Sequence, residues 1–93
     1  MYKVNEYFDG KVASISHNSA DGKATVGVMA AGEYEFGTSS VEIMTIIAGE
    51  MKIKLSGETE WTTYKKFDSF RVEKDTSFQV SVTHDTPYLC LYL

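Results

Sequence analysis

The stretch Gly32-Glu33-Tyr34-Glu35-Phe36-Gly37-Thr38, followed by Glu42 and then Gly49, carries the strongest indication of the fold. On both sides of it, β-forming residues occur in short runs, several of which alternate apolar and polar side chains as half-buried strands do. Asp21-Gly22, Ala48-Gly49 and Ser56-Gly57 are typical of turns between such runs. Many short strands separated by turns predict an all-β sandwich or barrel. The runs cover residues 24–29, 41–47, 50–55, 60–64, 69–72, 77–83 and 88–93.

The spacing from Glu42 to Gly49 resembles the back half of the first cupin signature, Gly-x5-His-x-His-x3-4-Glu-x6-Gly. Gly32 lies closer to Glu42 than the leading glycine of that signature does. Other residues stand where the signature has its two histidines, namely Phe36 and Thr38, or Glu35 and Gly37 with the longer spacer. The second cupin motif is also lost, since residues 68–78 contain no glycine, proline or histidine. The resemblance implies an all-β, single-domain cupin (RmlC-like jelly-roll) barrel over residues 1–93 that lacks the usual metal ligands.

Composition narrows the class of protein. A chain of 93 residues is long enough for one small core, and its net charge of −4 argues against nucleic acid as a partner. Cys90 is the single cysteine and cannot form an internal disulfide. No apolar run approaches the roughly 20 residues of a membrane span, and no apolar segment follows Met1 as in a signal peptide. We therefore expect a cytoplasmic protein without a membrane partner.

A metal site is not expected. Zinc and iron sites need several converging imidazole, thiolate or carboxylate ligands. The two histidines, His17 and His84, lie far apart in the sequence and beside predicted turns. We expect no metal and no other cofactor.

The last predicted strand is apolar on both faces. Tyr88, Cys90 and Tyr92 share one face, and the opposite face carries Leu89, Leu91 and Leu93. A second buried face in so small a protein favours a partner subunit, most simply in a twofold homodimer. The alternative is that an N-terminal strand covers the leucines as a thin second layer.

The whole chain resembles the pyrimidine/purine nucleoside phosphorylase family of small single-domain cupins. The resemblance implies a pentosyltransferase of broad specificity, which converts a nucleoside and inorganic phosphate into free base and pentose 1-phosphate. Phosphate is then a co-substrate. The pieces that carry the resemblance are residues 5–12, 26–29, 32–36, 42–45 and 88–93, in this order and spacing.

Glu42 is the candidate catalytic residue, because the cupin signature places it on an inward-facing strand position. A carboxylate there could stabilise the positive charge that develops at C1′ when the glycosidic bond breaks. The alternative is a structural carboxylate that is paired with a lysine or hydrogen-bonded to backbone.

Candidate binding residues fall into two groups. Aromatic faces stack on any base, so an apolar pocket is predicted from Tyr34, Phe36, Met44, Tyr88 and Tyr92, although a small barrel also needs such residues as core. For phosphate, we consider the only arginine, Arg71, and the loop hydroxyls of Thr38 and Ser40 in a Gly-Thr-Ser-Ser segment that could form an anion-binding nest. Arg71 is alternatively a surface residue paired with Glu73 or Asp68, and the loop a plain turn.

No set of residues suited to nucleophilic catalysis is apparent. Cys90 has no histidine near it in the sequence and reads as a small core residue. Direct attack by phosphate requires no enzyme nucleophile, which is consistent with phosphorolysis. Two other functions stay open from the residues alone, a non-enzymatic cupin module that binds a small molecule and an interaction domain that uses the outer leucines.

Overall fold

The computed structural model describes residues 1–93 and contains ten strands and no helix, so no helix is available to cross a membrane. The predicted all-β class is confirmed. The strands are β1 (Lys3–Tyr7), β2 (Val12–Ser19), β3 (Gly22–Met29), β4 (Gly32–Gly37), β5 (Glu42–Ile46), β6 (Glu50–Leu55), β7 (Thr62–Lys65), β8 (Ser69–Val72), β9 (Ser77–Val82) and β10 (Thr86–Tyr92).

Two antiparallel sheets make up the molecule. A six-stranded sheet has the order β1-β2-β3-β10-β5-β8, and a four-stranded sheet has the order β4-β9-β6-β7. No backbone ladder joins the two sheets, so the predicted jelly-roll barrel is open and has the form of a sandwich. The chain passes from one sheet to the other at the turn Ala48-Gly49, which connects β5 and β6.

Apolar side chains, which alternate with polar ones along the strands, fill the space between the sheets. On β9, Phe78, Val80 and Val82 are all buried, as the sequence pattern predicts. Met51 and Ile53 on β6 lie beside them in the same sheet, and Ile46 on β5 belongs to the same core cluster but lies in the other sheet. Burying a side chain of this size contributes about 1.5–3 kcal/mol each. The core therefore follows directly from the period-two pattern.

The final strand lies in the middle of its sheet, between β3 and β5. Tyr88 and Cys90 point into the sandwich and are buried, whereas Leu89 and Leu91 point outward and are half-buried. The N-terminal strand does not cover these leucines, because β1 lies in the same sheet, paired with β2 at its edge. The alternative of a thin second layer is therefore wrong.

Outward side chains of four neighbouring strands form a line of aliphatic groups, which we call the outer row. Val4 pairs with Ile15, Ile15 pairs with Val26, and Val26 pairs with Leu89. Val4, Ile15 and Val26 are 62%, 44% and 43% exposed. The outer row is thus an apolar stripe on the surface of the six-stranded sheet.

Candidate functional site

A cavity of about 520 Å³ opens between the two sheets, and we call it the main cavity. Its volume is within the range of about 300–1,000 Å³ that is usual for small-molecule sites. Nine of its fourteen lining residues are hydrophobic, as expected for a ligand pocket. The lining residues are Tyr7, Phe8, Ser14, Met29, Glu35, Phe36, Gly37, Ser39, Glu42, Met44, Phe78, Tyr88, Cys90 and Tyr92.

Glu42 is the half-buried carboxylate of this cavity. It begins β5, directly opposite Tyr92 on β10, and its Oε1 accepts a hydrogen bond from the Cys90 thiol at 3.4 Å. The only salt bridge of the protein lies elsewhere, so Glu42 has no cationic partner within 4 Å. Burial raises the pKa of the Glu42 carboxyl above its ordinary value, and the hydrogen bond from Cys90 opposes this only in part. The structure therefore gives Glu42 neither of the expected structural partners, a lysine or a backbone group.

The other titratable groups around Glu42 stay protonated at neutral pH. Burial, followed by the charge of Glu42, raises the pKa of the Cys90 thiol, so that the thiol donates to Glu42 and is a poor nucleophile. Burial also raises the pKa of Tyr92, although its hydrogen bond with the Thr25 hydroxyl, at 3.1 Å, opposes the shift. The pKa of Tyr88 rises to about 12, mainly through burial.

A glycine makes room for the Tyr88 hydroxyl. Gly27 on β3 pairs with Tyr88 on one side and with Ser14 on the other. A Cβ atom at position 27 would lie 2.5 Å from the carbonyl oxygen of Ala13 and 2.8 Å from the Tyr88 Oη. A Cβ atom this close would force neighbouring atoms to move, so the shape of the cavity floor depends on position 27 having no side chain.

Aromatic rings form the wall on the opposite side. Phe8 lies in the turn after β1 and has a left-handed backbone conformation with φ of 54°. Its ring is 5.0 Å from that of Tyr34 and 5.5 Å from that of Phe36, and Phe36 stacks on Phe78 at 5.7 Å. A non-glycine residue in this conformation costs of order 1–3 kcal/mol, and residues strained in this way cluster at functional sites. The turn thus holds a partly exposed ring at the mouth of the cavity.

A second cavity of about 470 Å³ adjoins the first and shares Tyr7, Ser39 and Tyr92 with it. We call it the rim cavity, and its lining is mostly polar. The residues found only here are Lys3, Asn5, Ser16, Lys23, Thr25, Ser40 and Leu93.

The sequence-predicted residues are divided between these cavities and other places. The main cavity contains five of them, Phe36, Glu42, Met44, Tyr88 and Tyr92, and the rim cavity contains Ser40 and also Tyr92. Their roles stay predictions.

Three other predicted residues line neither cavity. Tyr34 is buried behind the wall and donates its hydroxyl hydrogen to the Ala30 carbonyl at 2.7 Å. Thr38 fastens its loop, because its hydroxyl donates to the Glu73 carbonyl and accepts from the Thr76 amide.

Arg71 points away from both cavities. It lies on β8 between the buried Phe70 and Val72 and is exposed on the outer face of the sheet. Its Nε is 2.8 Å from an Oε2 atom of Glu73, the surface pair that the sequence offered as the alternative. This position argues against a role for Arg71 in binding phosphate.

Some lining residues were not singled out from the sequence. Phe78 and Cys90 could have been found from alternation, because they share their faces with residues already predicted to point inward. Tyr7 and Phe8 offer no alternation signal. Asp9-Gly10 does indicate a turn there, as Asp21-Gly22 does, but a turn signal alone does not show that Phe8 lies beside a cavity.

No group of three or more histidine, cysteine, aspartate and glutamate side chains is arranged to hold a metal ion. His17 lies near the end of β2, shortly before the turn that leads to β3, and His84 is exposed between β9 and β10.

The chain is similar to proteins that carry one family name. The profile of the family described as "Pyrimidine/purine nucleoside phosphorylase" matches residues 2–92. A protein of that name from Pseudomonas syringae pv. syringae is 55% identical over 92 residues, which is 99% of each chain.

Solved structures support the fold. A protein of unknown function from Vibrio parahaemolyticus, 45% identical, superposes with a TM-score of 0.96 over 100% of this chain and 99% of its own. An RmlC-like cupin from Shewanella frigidimarina superposes with a TM-score of 0.74 over 96% of this chain and 80% of its own. At 14% identity the latter shows the fold alone, and it confirms the predicted cupin jelly roll.

Proposed function

Because the chain belongs to the pyrimidine/purine nucleoside phosphorylase family, we propose that it converts purine and pyrimidine nucleosides, with inorganic phosphate, into free base and pentose 1-phosphate. The observation in the structure that supports this most is the half-buried carboxylate of Glu42, without a cationic partner, in an aromatic-walled cavity. The protein is then a pentosyltransferase.

The aromatic wall suits a nucleobase. Phe8 and Phe36 line the main cavity with their rings edge to face at 5.5 Å, and stacking on a ring is worth about 1–3 kcal/mol for any base. A wall that recognises a flat π-system, and not a particular set of hydrogen-bonding groups, accounts for acceptance of both purines and pyrimidines. We propose that the base lies against these two rings.

Glu42 then acts at the sugar. As the bond from C1′ to the base nitrogen breaks, positive charge develops on the ring of the pentose, and an ionised carboxylate beside it lowers the energy of that state. The absence of a cation near Glu42 leaves its charge available for this purpose. Because water is partly excluded, the interaction is stronger than it would be at the surface.

Phosphate itself serves as the nucleophile in this proposal, and no metal or other cofactor takes part. An oxygen of hydrogen phosphate forms the new bond to C1′ while the electron pair of the glycosidic bond leaves with the base, and the proton that the phosphate loses ends on the base. The raised pKa of the Cys90 thiol supports this scheme, because a protonated thiol is not available for covalent catalysis.

The direct test is base release from uridine, adenosine and inosine by the purified protein with and without inorganic phosphate. We expect free base and pentose 1-phosphate to appear in equal amounts, and only with phosphate. Saturable binding of nucleoside without turnover would overturn the proposal in favour of the non-enzymatic binding module. Base release that is independent of phosphate would show a hydrolase instead.

We also propose that the protein is a twofold homodimer that buries the outer row. Exposed apolar stripes of this kind are common at subunit interfaces, and a twofold axis through the stripe would pair each aliphatic side chain with its equivalent. Sedimentation equilibrium should give twice the chain mass of 10.4 kDa. Val26→Lys should give the single-chain mass with an unchanged circular dichroism spectrum, whereas a monomeric parent would refute the dimer.

A cytoplasmic location is part of the proposal. The pentose 1-phosphate product is an anion, and a charged group does not cross a lipid bilayer unaided at appreciable rate because its transfer from water to hydrocarbon is costly. Cell fractionation with an activity assay would test this, and activity in the external medium alone would contradict it.

A further inference from the structure

The rim cavity has the chemistry of an anion site. It contains two lysines, Lys3 and Lys23, and no aspartate or glutamate among its lining residues. Neither lysine has a carboxylate within 4 Å, because the only salt bridge in the protein joins Arg71 and Glu73. In a chain of net charge −4, a cavity with two lysines outside any salt bridge and no aspartate or glutamate side chain in its lining favours anions locally.

The sheet brings the two lysines to one place. Lys3 on β1 pairs with Ser16 on β2, and Ser16 pairs with Thr25 on β3, so Lys3 and Thr25 share the inner face two strands apart. Lys23 lies two residues before Thr25 and on the same face. Two strand spacings amount to roughly 10 Å and two residues to about 7 Å. Both ammonium groups can therefore reach one oxyanion between them.

Neutral donors complete the cavity. The Asn5 amide donates hydrogen bonds to the Ser14 Oγ at 3.3 Å and to the Ser16 Oγ at 2.9 Å. Because the Ser16 oxygen accepts from Asn5, its own hydrogen is left free to point to a ligand. Ser40 also lines the cavity, and its hydroxyl makes no side-chain hydrogen bond within the protein.

The rim cavity also meets the main cavity at the reacting position. Tyr92 lines both cavities and pairs directly with Glu42 across β10 and β5. On the other side of β10, Leu91 pairs with Ala24 on β3. Because the two strands are antiparallel, Lys23, the residue before Ala24, is level with Tyr92, the residue after Leu91. Lys23, Tyr92 and Glu42 therefore follow one another across three strands.

We propose that the rim cavity binds the inorganic phosphate co-substrate and the phosphate group of the pentose 1-phosphate product, with Lys3 and Lys23 as its cations. A nucleoside then lies across the border, its base in the main cavity and its C1′ beside Tyr92 and Glu42. The phosphate oxygen bonds to C1′, the glycosidic electron pair leaves with the base, and the lysines neutralise the phosphate throughout. This subsite rests on the proposed phosphorolysis. It replaces Arg71 and the loop hydroxyl of Thr38 as the phosphate ligands.

Lys3→Gln and Lys23→Gln test the subsite in the full-length protein, with Lys52→Gln as the matched control. Lys52 is exposed on β6 in the other sheet and lines neither cavity. A hydrogen bond to a charged group is worth about 1.5–3 kcal/mol, or roughly 10- to 100-fold in binding. Each cavity variant should raise the KM for phosphate at least about tenfold and leave the KM for the nucleoside unchanged. Lys3→Arg should recover part of the phosphate affinity, because the positive charge is retained.

Titration of the parent with inorganic phosphate, followed by ³¹P line broadening, separates this proposal from the enzymatic function. Broadening that both lysine variants abolish supports the subsite even if no nucleoside turns over. A phosphorolytic parent whose phosphate KM is the same in both lysine variants and in Lys52→Gln would overturn the subsite and leave the function intact. Phosphate that does not bind the parent at all would overturn both.

Discussion

The two ends of the inner face of the six-stranded sheet differ in chemistry although the same strands form both. At the closed end, Val12, Met29 and Ile46 are completely or almost completely buried. At the open end, the same strands β2, β3 and β5 present Ser16, Thr25 and Glu42. The closed end therefore provides the stability that allows the open end to contain polar groups, one of them a carboxylate without a cationic partner.

The largest effect on stability is expected from Ile46→Ala at the closed end. Ile46 is completely buried in the main core cluster, and removing three of its carbons leaves a cavity there. Such substitutions cost about 2–5 kcal/mol. Chemical denaturation should show this loss, while the activity of the folded variant at 25 °C stays near that of the parent. A loss below about 1 kcal/mol would show that the closed end is not the main source of stability.

The converse prediction concerns Glu42→Gln at the open end. Removing one group that stabilises transition-state charge typically costs about 10²–10³-fold in rate. We expect this loss in kcat, with thermal stability at neutral pH no lower than that of the parent, because the amide has no charge to desolvate. Glu33→Gln, which changes an exposed carboxylate on β4 outside both cavities, is the control. Unchanged activity of Glu42→Gln would mean that Glu42 is structural.

Gly27 lies on β3 between the closed end and the open end, so its substitution is expected to affect both stability and substrate binding. Gly27→Ala would place a methyl group against the Ala13 carbonyl and the Tyr88 hydroxyl. We expect a loss of about 1–3 kcal/mol from overpacking and a higher KM for the nucleoside, because Tyr88 must move. Gly37→Ala is a matched control that also lines the main cavity, since its nearest new contact would be an ordinary 3.9 Å. Equal effects of the two substitutions would contradict this explanation.

The sequence predicted the apolar core between the sheets better than it predicted the open end. Alternation identified Phe78, Val80 and Val82, because apolar side chains with period two bury one face wherever the strands pair. Strand β2 was not predicted at all, because Val12–Ser19 contains serine, histidine and asparagine in place of most of the expected β-branched residues. Of its polar inward positions, Ser14 lines the main cavity and Ser16 lines the rim cavity.

The candidate site shows the same division. Glu42 was found from a spacing shared with the cupin signature, and the structure places it in the main cavity. Residue type alone favours Arg71 over Lys3 and Lys23 as a phosphate ligand, since arginine is the better residue for binding phosphate through two hydrogen bonds. Only strand order shows that residues 20 positions apart meet in one cavity while Arg71 faces outward. Such non-local pairing leaves no trace in local composition.

The smallest predicted effect is that Glu42, at the open end, makes the free energy of unfolding depend on pH. Burial raises the pKa of Glu42 above its ordinary value of 4.5, so the folded protein binds this proton more tightly than the unfolded chain does. The favourable contribution of this proton to the free energy of unfolding is fully present below pH 4.5 and is lost as the pH rises through the pKa of Glu42 in the folded protein. Glu42→Gln has no proton to lose at this position.

The difference in melting temperature between Glu42→Gln and the parent should therefore become more positive as the pH is raised from 4 to 8. Differential scanning calorimetry in matched buffers would measure it, with Glu33→Gln as the control for a carboxylate that is exposed to solvent in the folded protein. A difference that falls with rising pH would mean that the ionised carboxylate is stabilised in the folded state, as in a structural pair. Such a result would mean that the open end also stabilises the fold, so that the two ends would no longer differ in their contribution to stability.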